Sequence, residues 1–111
     1  MITINQIDGI NEVKLNLQNL NLFVSEEFKS VLLEIFQHSN AKVLINMEGV
    51  HFLDSSGFAV LLMASKEAEQ TNGQIIYCNI AGSAMRLFEV LQLHKTFRII
   101  QNREDALHSF K

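Results

Sequence analysis

Residues 43–62, VLINMEGVHFLDSSGFAVLL, contain the strand, loop and helix that most clearly indicate the fold class. This stretch opens on the apolar run Val43-Leu44-Ile45, which lacks the polar alternation of a half-exposed strand. This run predicts a parallel strand over residues 41–47 that is covered on both faces. A loop over residues 48–54 follows. An amphipathic helix over residues 56–71 then places these residues on one face: Phe58, Leu61, Leu62, Ser65 and Ala68.

The segments before this stretch predict a β hairpin and a helix. Ile2–Gln6 and Val13–Leu17 form a short β pair across Asp8-Gly9, a turn signal because glycine accepts φ > 0 at no steric cost. We expect the helix to begin with Ser25 as its cap and to run to about His38. Its apolar face consists of Val24, Phe28, Val31, Leu32, Ile35 and Phe36.

The segments after it continue the alternation of strands and helices. Asn72-Gly73 ends the second helix, and Ile75–Cys78 is the next buried strand. A third helix, capped near Ser83, carries Ala84, Leu87, Phe88 and Leu91 on one face. Phe97–Ile100 is predicted as the last strand. A short helix capped by Asn102, with apolar contacts from Leu107 and Phe110, completes the chain.

This order predicts an α/β fold with right-handed crossovers. We expect a single domain over residues 1–111, with a mostly parallel four- to five-stranded sheet and about four helices. Periodicity leaves open whether the helices cover one face of the sheet or both.

The composition and charge of the chain exclude several classes of protein. The chain has 48 % apolar and 19 % charged residues and a formal charge of -3, which excludes a disordered chain and argues against nucleic acid as partner. No apolar run is long enough for a membrane span, and the start lacks signal-peptide character. The single cysteine, Cys78, favours a reducing compartment, so we expect a cytoplasmic protein without a membrane partner.

The loop over residues 51–58, HFLDSSGF, is the candidate functional segment. Loops at the carboxyl ends of parallel strands are where α/β folds place ligands and chemistry. Gly57 has no side chain and therefore permits close approach of another backbone or a partner. From local sequence alone, Asp54-Ser55-Ser56 reads more simply as a helix cap, because such clusters precede many helices.

Residues 43–62 resemble the STAS domain family, in particular the bacterial anti-sigma-factor antagonists. The shared order is a hydrophobic strand, a short acidic turn, an aromatic or apolar residue, and then aspartate, serine, serine and glycine. Downstream, Asn72-Gly73-Gln74, residues 84–93 (AMRLFEVLQL) and Phe97 also match. The resemblance covers about Val13 to Phe110 and implies a STAS-like fold.

The resemblance implies a phosphorylation switch with no catalytic residue in this chain. Ser55, directly after the aspartate, would accept a phosphoryl group from ATP, and the kinase would be the partner anti-sigma factor itself. The unphosphorylated chain binds this partner, phosphorylation releases it, and a metal-dependent phosphoserine phosphatase resets the switch. Asp54 holds loop amides or orients the hydroxyl, and Ser56 is a cap or the alternative acceptor. Asp54, Ser56, Gly57 and Phe58 are the expected partner contacts.

The loop before the first helix departs from the family pattern. Many antagonists have a glycine there, followed shortly by an acidic residue, whereas this chain has Asn19 and no aspartate. The resemblance places this loop near the serine loop, so we expect Asn21 and Phe23 to contact the partner, with Leu20 and Leu22 extending an apolar patch. Alternatively, Leu22 and Phe23 staple the start of the helix.

Other functions have weaker support in the sequence. A STAS domain can also be a constitutive assembly subunit of a transporter or a sensory complex, without phosphorylation. A hydrolase built on His51 and Ser55 lacks the Gly-x-Ser-x-Gly elbow, and no Gly-rich phosphate loop is present. The four histidines are dispersed without metal-ligand spacing. We therefore expect no enzymatic activity, no metal and no cofactor.

Overall fold

The computed structural model describes residues 1–111. In chain order its elements are β1 (Ile2–Ile7), β2 (Ile10–Leu15), β3 (Asn19–Leu20), α1 (Leu22–Ile35), β4 (Lys42–Asn46), β5 (Phe52–Leu53), α2 (Ser55–Gln70), β6 (Gln74–Cys78), α3 (Gly82–Val90) and α4 (Arg103–Leu107).

A four-stranded sheet in the order β1-β2-β4-β6 forms the centre of the fold. β1 is antiparallel to β2, whereas β2, β4 and β6 are parallel to one another. This confirms the mostly parallel sheet and the four helices. Asp8 and Gly9, which both have positive φ (50° and 80°), make the predicted tight turn between β1 and β2.

The helices cover both faces of the sheet, which settles the question that periodicity left open. Val13, Val43, Ile45 and Tyr77 point to the face where the apolar sides of α1, α2 and α3 build the larger core. The alternate residues of the same strands point to the opposite face. There Ile10, Leu44, Ile76 and Cys78 pack against Ala106 of α4, with Leu107 and Phe110 beside them as predicted.

The prediction that Ser25 caps the first helix is wrong. Asn21 is the N-cap, and its side-chain oxygen accepts the N–H of Phe23 (3.0 Å). Ser25 is a buried residue inside α1. The first turn of α1 carries exposed Leu22 and Phe23, so the apolar periodicity begins one turn later than the helix itself, and the helix ends at Ile35 rather than His38.

Three further boundaries differ from the prediction. β2 begins at Ile10 and ends at Leu15, because the two-residue turn brings Ile10 directly opposite Ile7. α3 begins at Gly82 after Ala81, with no side-chain cap. The predicted last strand over residues 97–100 is reduced to one parallel bridge between Ile99 and Tyr77. A one-turn 3₁₀ helix over Leu93–Lys95 was not predicted.

No helix of the chain combines the length and the apolar character that a membrane crossing requires.

Candidate functional site

Two short strands tie the loop before α1 to the loop before α2. Asn19 and Leu20 of β3 pair in parallel with Phe52 and Leu53 of β5. The N–H groups of His51 and Phe52 donate to the Gln18 carbonyl, at 2.9 and 3.2 Å. Because β5 runs directly into α2 and β3 directly into α1, this pairing sets the two helix starts side by side.

Gly57 makes this close approach possible. A Cβ added at Gly57 would lie 2.6 Å from the Leu20 carbonyl oxygen and 3.0 Å from Leu20 Cγ. Real Cβ atoms do not approach backbone oxygens so closely, so only glycine allows α2 to pack against β3. Gly57 is buried, and its missing side chain makes room for Leu20. Its contact with a partner stays a prediction.

Asp54 is the N-cap of α2 and also binds the first residue of α1. Its Oδ1 accepts the Gly57 N–H (3.0 Å) and the Ser56 hydroxyl (2.5 Å). Its Oδ2 accepts the Leu22 N–H (3.1 Å). The hydrogen bonds from Ser56 and Gly57 hold the pKa of Asp54 below its usual value, because they favour the ionised carboxylate. Asp54 therefore binds loop amides, as the sequence predicts, and one carboxylate joins both helices.

The hydroxyls of Ser25 and Ser56 meet beneath Asp54. Their oxygens are 3.0 Å apart, Ser25 donates to the Asn21 carbonyl (2.7 Å), and Ser56 donates to Asp54. Each hydroxyl carries one proton, so when Asn21 and Asp54 accept both protons, none is left for the contact between the two serine oxygens. Sequence reasoning missed Ser25, because the contact joins residues of different helices and leaves no local signal.

Ser55 differs from Ser56 in every respect that matters for modification. It is the first residue of α2, it is exposed, and its hydroxyl makes no hydrogen bond within the chain. Ser56 is half-buried and its hydroxyl is engaged. The imidazole of His51 takes part in no hydrogen bond of this site. Its backbone does, through the N–H that donates to the Gln18 carbonyl and the carbonyl that accepts the Ser83 hydroxyl (3.0 Å).

Three exposed apolar side chains lie on the segments that the β3–β5 pairing and Asp54 bring next to the start of α2. Phe23 is 92 % exposed, Leu22 66 % and Phe52 64 %. A shallow groove of about 190 Å³ leads from the site between α1 and α2. It is lined by Leu22, Ser25, Glu26, Lys29, Ser56, Ala59, Val60 and Met63. Leu22 and Phe23 therefore do not staple the helix start against the core, since solvent reaches both.

Phe58 lies in the core and not on this surface. It is 9 % exposed and its ring packs at 5.3 Å from the ring of Phe88. Its position one turn into α2 directs Phe58 toward α3, and its contact with a partner stays a prediction. Among the predicted residues, the structure brings Asp54, Ser55, Ser56, Asn21 and Phe23 together at one end of the molecule.

The fold is that of a small α/β domain with a mostly parallel sheet. At one end of the sheet, the capped start of α2 lies beside an exposed apolar surface, and these two features define the class of protein. The family model described as "STAS domain" matches residues 1–106. This chain belongs to the STAS domain family.

Three relatives show the range of the likeness. The anti-sigma-B factor antagonist of Staphylococcus aureus is 24 % identical over 97 residues, covering 87 % of this chain and 89 % of the relative. The structure of an anti-sigma-factor antagonist (STAS) domain protein from Planctomyces limnophilus superposes with a TM-score of 0.89 at 21 % identity, covering 98 % of this chain and 97 % of that one. The Bacillus cell fate determinant SpoIIAA in its phosphorylated form gives 0.75 at 21 % identity, with both chains fully covered.

Proposed function

We propose that this chain is an anti-sigma-factor antagonist whose binding is switched by phosphorylation of Ser55. In its unphosphorylated form it sequesters an anti-sigma factor of the serine-kinase type in the cytoplasm. That partner transfers the γ-phosphoryl group of ATP to Ser55 Oγ, with ADP as leaving group and a base of the partner taking the hydroxyl proton. The modified chain then dissociates, and a phosphoserine phosphatase restores it. Neither nucleic acid nor membrane is a partner.

The observation that carries this proposal is the free, exposed hydroxyl of Ser55 at the start of a 16-residue helix. An acceptor hydroxyl has to enter a kinase active site, so it has to be reachable and unengaged. The neighbouring Ser56 meets neither condition. One structural relative, SpoIIAA, has been solved in a phosphorylated form, so a protein of this fold can carry a phosphoryl group.

Electrostatics at the site support release by local repulsion. A phosphoserine adds about 1.5 to 2 negative charges. The positive end of the α2 dipole tolerates this charge on the chain itself, so the fold is expected to persist. Asp54, next in sequence, is held in its ionised form. A partner surface that had approached a small neutral hydroxyl would meet a cluster of negative charge and three additional oxygens.

The surface around Ser55 supports a protein partner. Phe23, Leu22 and Phe52 expose aromatic and aliphatic area of the kind enriched at the centres of protein interfaces. Asp54 and Asn21 place polar groups beside them. We include Asn21, Phe23, Asp54 and Ser56 in the proposed contact surface.

A matched set of variants tests the proposal. Wild type, Ser55→Ala, Ser55→Asp and Ser56→Ala are used as affinity baits, and the captured partner is identified and purified. Incubation with that partner and ATP, followed by mass spectrometry, locates the modified residue. We expect phosphate on Ser55 in wild type and in Ser56→Ala and none in Ser55→Ala. We also expect at least a roughly tenfold weaker partner affinity for Ser55→Asp.

The outcomes separate the candidate functions. Phosphate on Ser56, or equal affinity of wild-type chain with and without stoichiometric phosphate on Ser55, would contradict the switch. A transporter or sensory protein captured equally by all four baits would instead support a constitutive assembly subunit. Circular dichroism of each variant verifies that lost binding does not reflect lost structure.

A further inference from the structure

The two edge strands of the main sheet differ, because one is covered by another segment of the chain and the other is not. The outer edge of β6 is covered by the segment over residues 98–101, through backbone bonds that join Tyr77 to Arg98 (3.0 Å) and Ile100 (2.9 Å), and Asn79 to Gln101 (3.2 Å). β1 is the other edge and pairs only with β2. Its six residues, ITINQI, contain no charge, proline or glycine. Charge and proline are two of the features by which proteins usually protect an edge strand, so β1 is an open edge.

The register shows which backbone groups of β1 are free. In an antiparallel pair, residues that exchange backbone hydrogen bonds alternate with residues whose N–H and C=O point away. The Asn16 N–H donates to the Met1 carbonyl, and Ile7 and Ile10 flank the two-residue turn. Thr3 and Asn5 therefore bond to β2. Ile2, Ile4 and Gln6 direct three N–H and three C=O groups outward.

A groove runs along this edge on the α1 side of the sheet. Its volume is about 310 Å³, and it is lined by Ile4, Gln6, Asn11, Val31, Glu34, Ile35 and His38. Ile4 is 46 % exposed at its floor. The edge thus offers unpaired backbone groups together with an apolar side chain that remains half in water.

We propose that β1 pairs with β1 of a second copy of this chain, antiparallel and with Ile4 opposite Ile4 on the twofold axis. In this register Ile2 lies opposite Gln6 of the other copy. All six outward groups of each strand are then paired, and the two sheets continue as one of eight strands. Because the contact is isologous, it closes at a dimer. The two grooves merge around the paired Ile4 side chains.

The uncharged strand permits pairing with a second copy, whereas the net charge and the small area keep the contact weak. Neither strand carries a charge, so no like charges oppose each other across the register. The merged grooves hold one carboxylate from each copy, Glu34, and no lysine or arginine. Each chain has a net charge of -3, so salt should strengthen association. A pair of six-residue strands buries less than the roughly 1,200 Å² of a stable interface, which predicts a dissociation constant on the order of 100 µM.

Disulfide trapping tests the register. Residues that face each other in a hydrogen-bonded antiparallel pair have Cα atoms about 5.5 Å apart, within the range a disulfide spans. Ile4→Cys should therefore form a covalent dimer when oxidised glutathione accepts the two thiol hydrogens. Gln6→Cys is the matched control, because Gln6 faces Ile2 of the other copy. The two introduced cysteines would therefore lie four positions apart along the paired strands. The native Cys78 is buried and does not compete. We expect at least a roughly tenfold faster cross-link for Ile4→Cys.

Analytical ultracentrifugation tests the unmodified chain, from about 5 µM to about 500 µM and at low and high salt. We expect a monomer–dimer equilibrium that salt strengthens. Ile4→Lys should weaken it at least roughly tenfold through like charges on the twofold axis, whereas Val90→Lys, which adds the same charge at an exposed site far along the chain, should not. A monomer at every concentration, open-ended oligomers, or equal cross-linking of the two cysteine variants would overturn the proposal.

Discussion

The N–H of Leu22 donates to Oδ2 of Asp54 at 3.1 Å, across 32 positions of sequence. The same carboxylate caps α2 through Gly57. Two helix starts, each with unsatisfied backbone donors, thus share one carboxylate. Asn21 caps α1 through the Phe23 N–H, and Asp54, which belongs to neither helix, links this helix start to the one that carries Ser55.

Replacement of Asp54 should therefore loosen both helix starts. Asp54→Ala removes the acceptor for Leu22, Ser56 and Gly57, and we expect a fall in the melting temperature on the order of 5 °C. Asp54→Asn keeps one acceptor oxygen and should lower it less. Hydrogen exchange should become faster at the Leu22 and Gly57 amides together. If only the Gly57 amide responds, the carboxylate does not join the two helices. Ser55→Ala, which removes no hydrogen bond, is the control.

Gly57 should be intolerant of even a single methyl group. Alanine is normally better than glycine in a helix by about 1 kcal/mol. At Gly57 the new Cβ would lie 2.6 Å from the Leu20 carbonyl oxygen, and that backbone has to move. We expect Gly57→Ala to lower the free energy of unfolding in urea by about 2 kcal/mol.

Gly82→Ala is the matched control for this substitution. Gly82 begins α3 and an added Cβ meets nothing within 4 Å, so this variant should be neutral or slightly stabilised. Equal stability of the two alanine variants would show that β3 and α2 separate without cost.

The sequence predicted the elements whose signals are local. The uninterrupted apolar run of β4, the period of α2 and the Asn102 cap all depend on residues within a few positions of one another, and the structure has them. Asp54, Ser55 and Ser56 were singled out as the candidate site from a short motif and a family resemblance, and their roles in partner binding and phosphorylation stay predictions.

The parts of the fold and of the site that were not predicted depend on contacts between segments that are distant in sequence. Neither the bond from Leu22 to Asp54 nor the meeting of Ser25 with Ser56 leaves a periodic or compositional trace. Phe58 was assigned to the partner surface because it follows the motif, although its direction is decided by the turn of α2 toward Phe88. No local pattern predicts the burial of Glu12, which results from α4 covering the second face of the sheet.

Acid should destabilise the attachment of α4 to the sheet. Arg103 donates to both carboxylate oxygens of Glu12 (2.7 and 2.8 Å), and Asn46 donates a third bond (3.1 Å). The bonds from Arg103 lower the pKa of Glu12 from 4.5. A lowered pKa in the folded state means that the stabilisation is complete above the unfolded value and is lost as the pH falls through the folded one. Stability should therefore decline below about pH 4.5.

Glu12→Gln isolates this contribution. At pH 7 we expect a loss of about 2 kcal/mol, below the 3–5 kcal/mol typical of fully buried pairs, because the Arg103 side chain is 35 % exposed. The variant should also lose less stability than wild type between pH 7 and pH 3 in urea titrations. Parallel curves for the two proteins would mean that other carboxylates account for the acid sensitivity.

Cys78 should be inert in the folded protein. Burial, with a smaller effect of the Glu12 carboxylate, raises the pKa of its thiol to about 12. Since the thiolate is the reactive form, we expect alkylation by iodoacetamide at pH 8 to follow global unfolding. Labelling rates should rise in urea in step with the unfolding transition. Rapid labelling in native buffer would indicate that α4 opens on its own.

The exposed aromatic residues beside Ser55 should contribute to partner binding and not to stability. Phe23 is 92 % and Phe52 64 % exposed, so Phe23→Ala and Phe52→Ala remove little buried area and should shift the free energy of unfolding by less than about 0.5 kcal/mol. If they lie at the centre of the proposed interface, each should weaken binding of the anti-sigma factor by at least roughly tenfold, since truncation of a central aromatic residue commonly costs more than 1 kcal/mol. Val90→Ala, at a residue 74 % exposed on α3, should change neither quantity.

Titration calorimetry with the unphosphorylated chain measures the three affinities on one scale. Unchanged affinity for both phenylalanine variants, with Ser55 still phosphorylated by the partner, would move the contact surface away from α1 and β5 while leaving the acceptor in place.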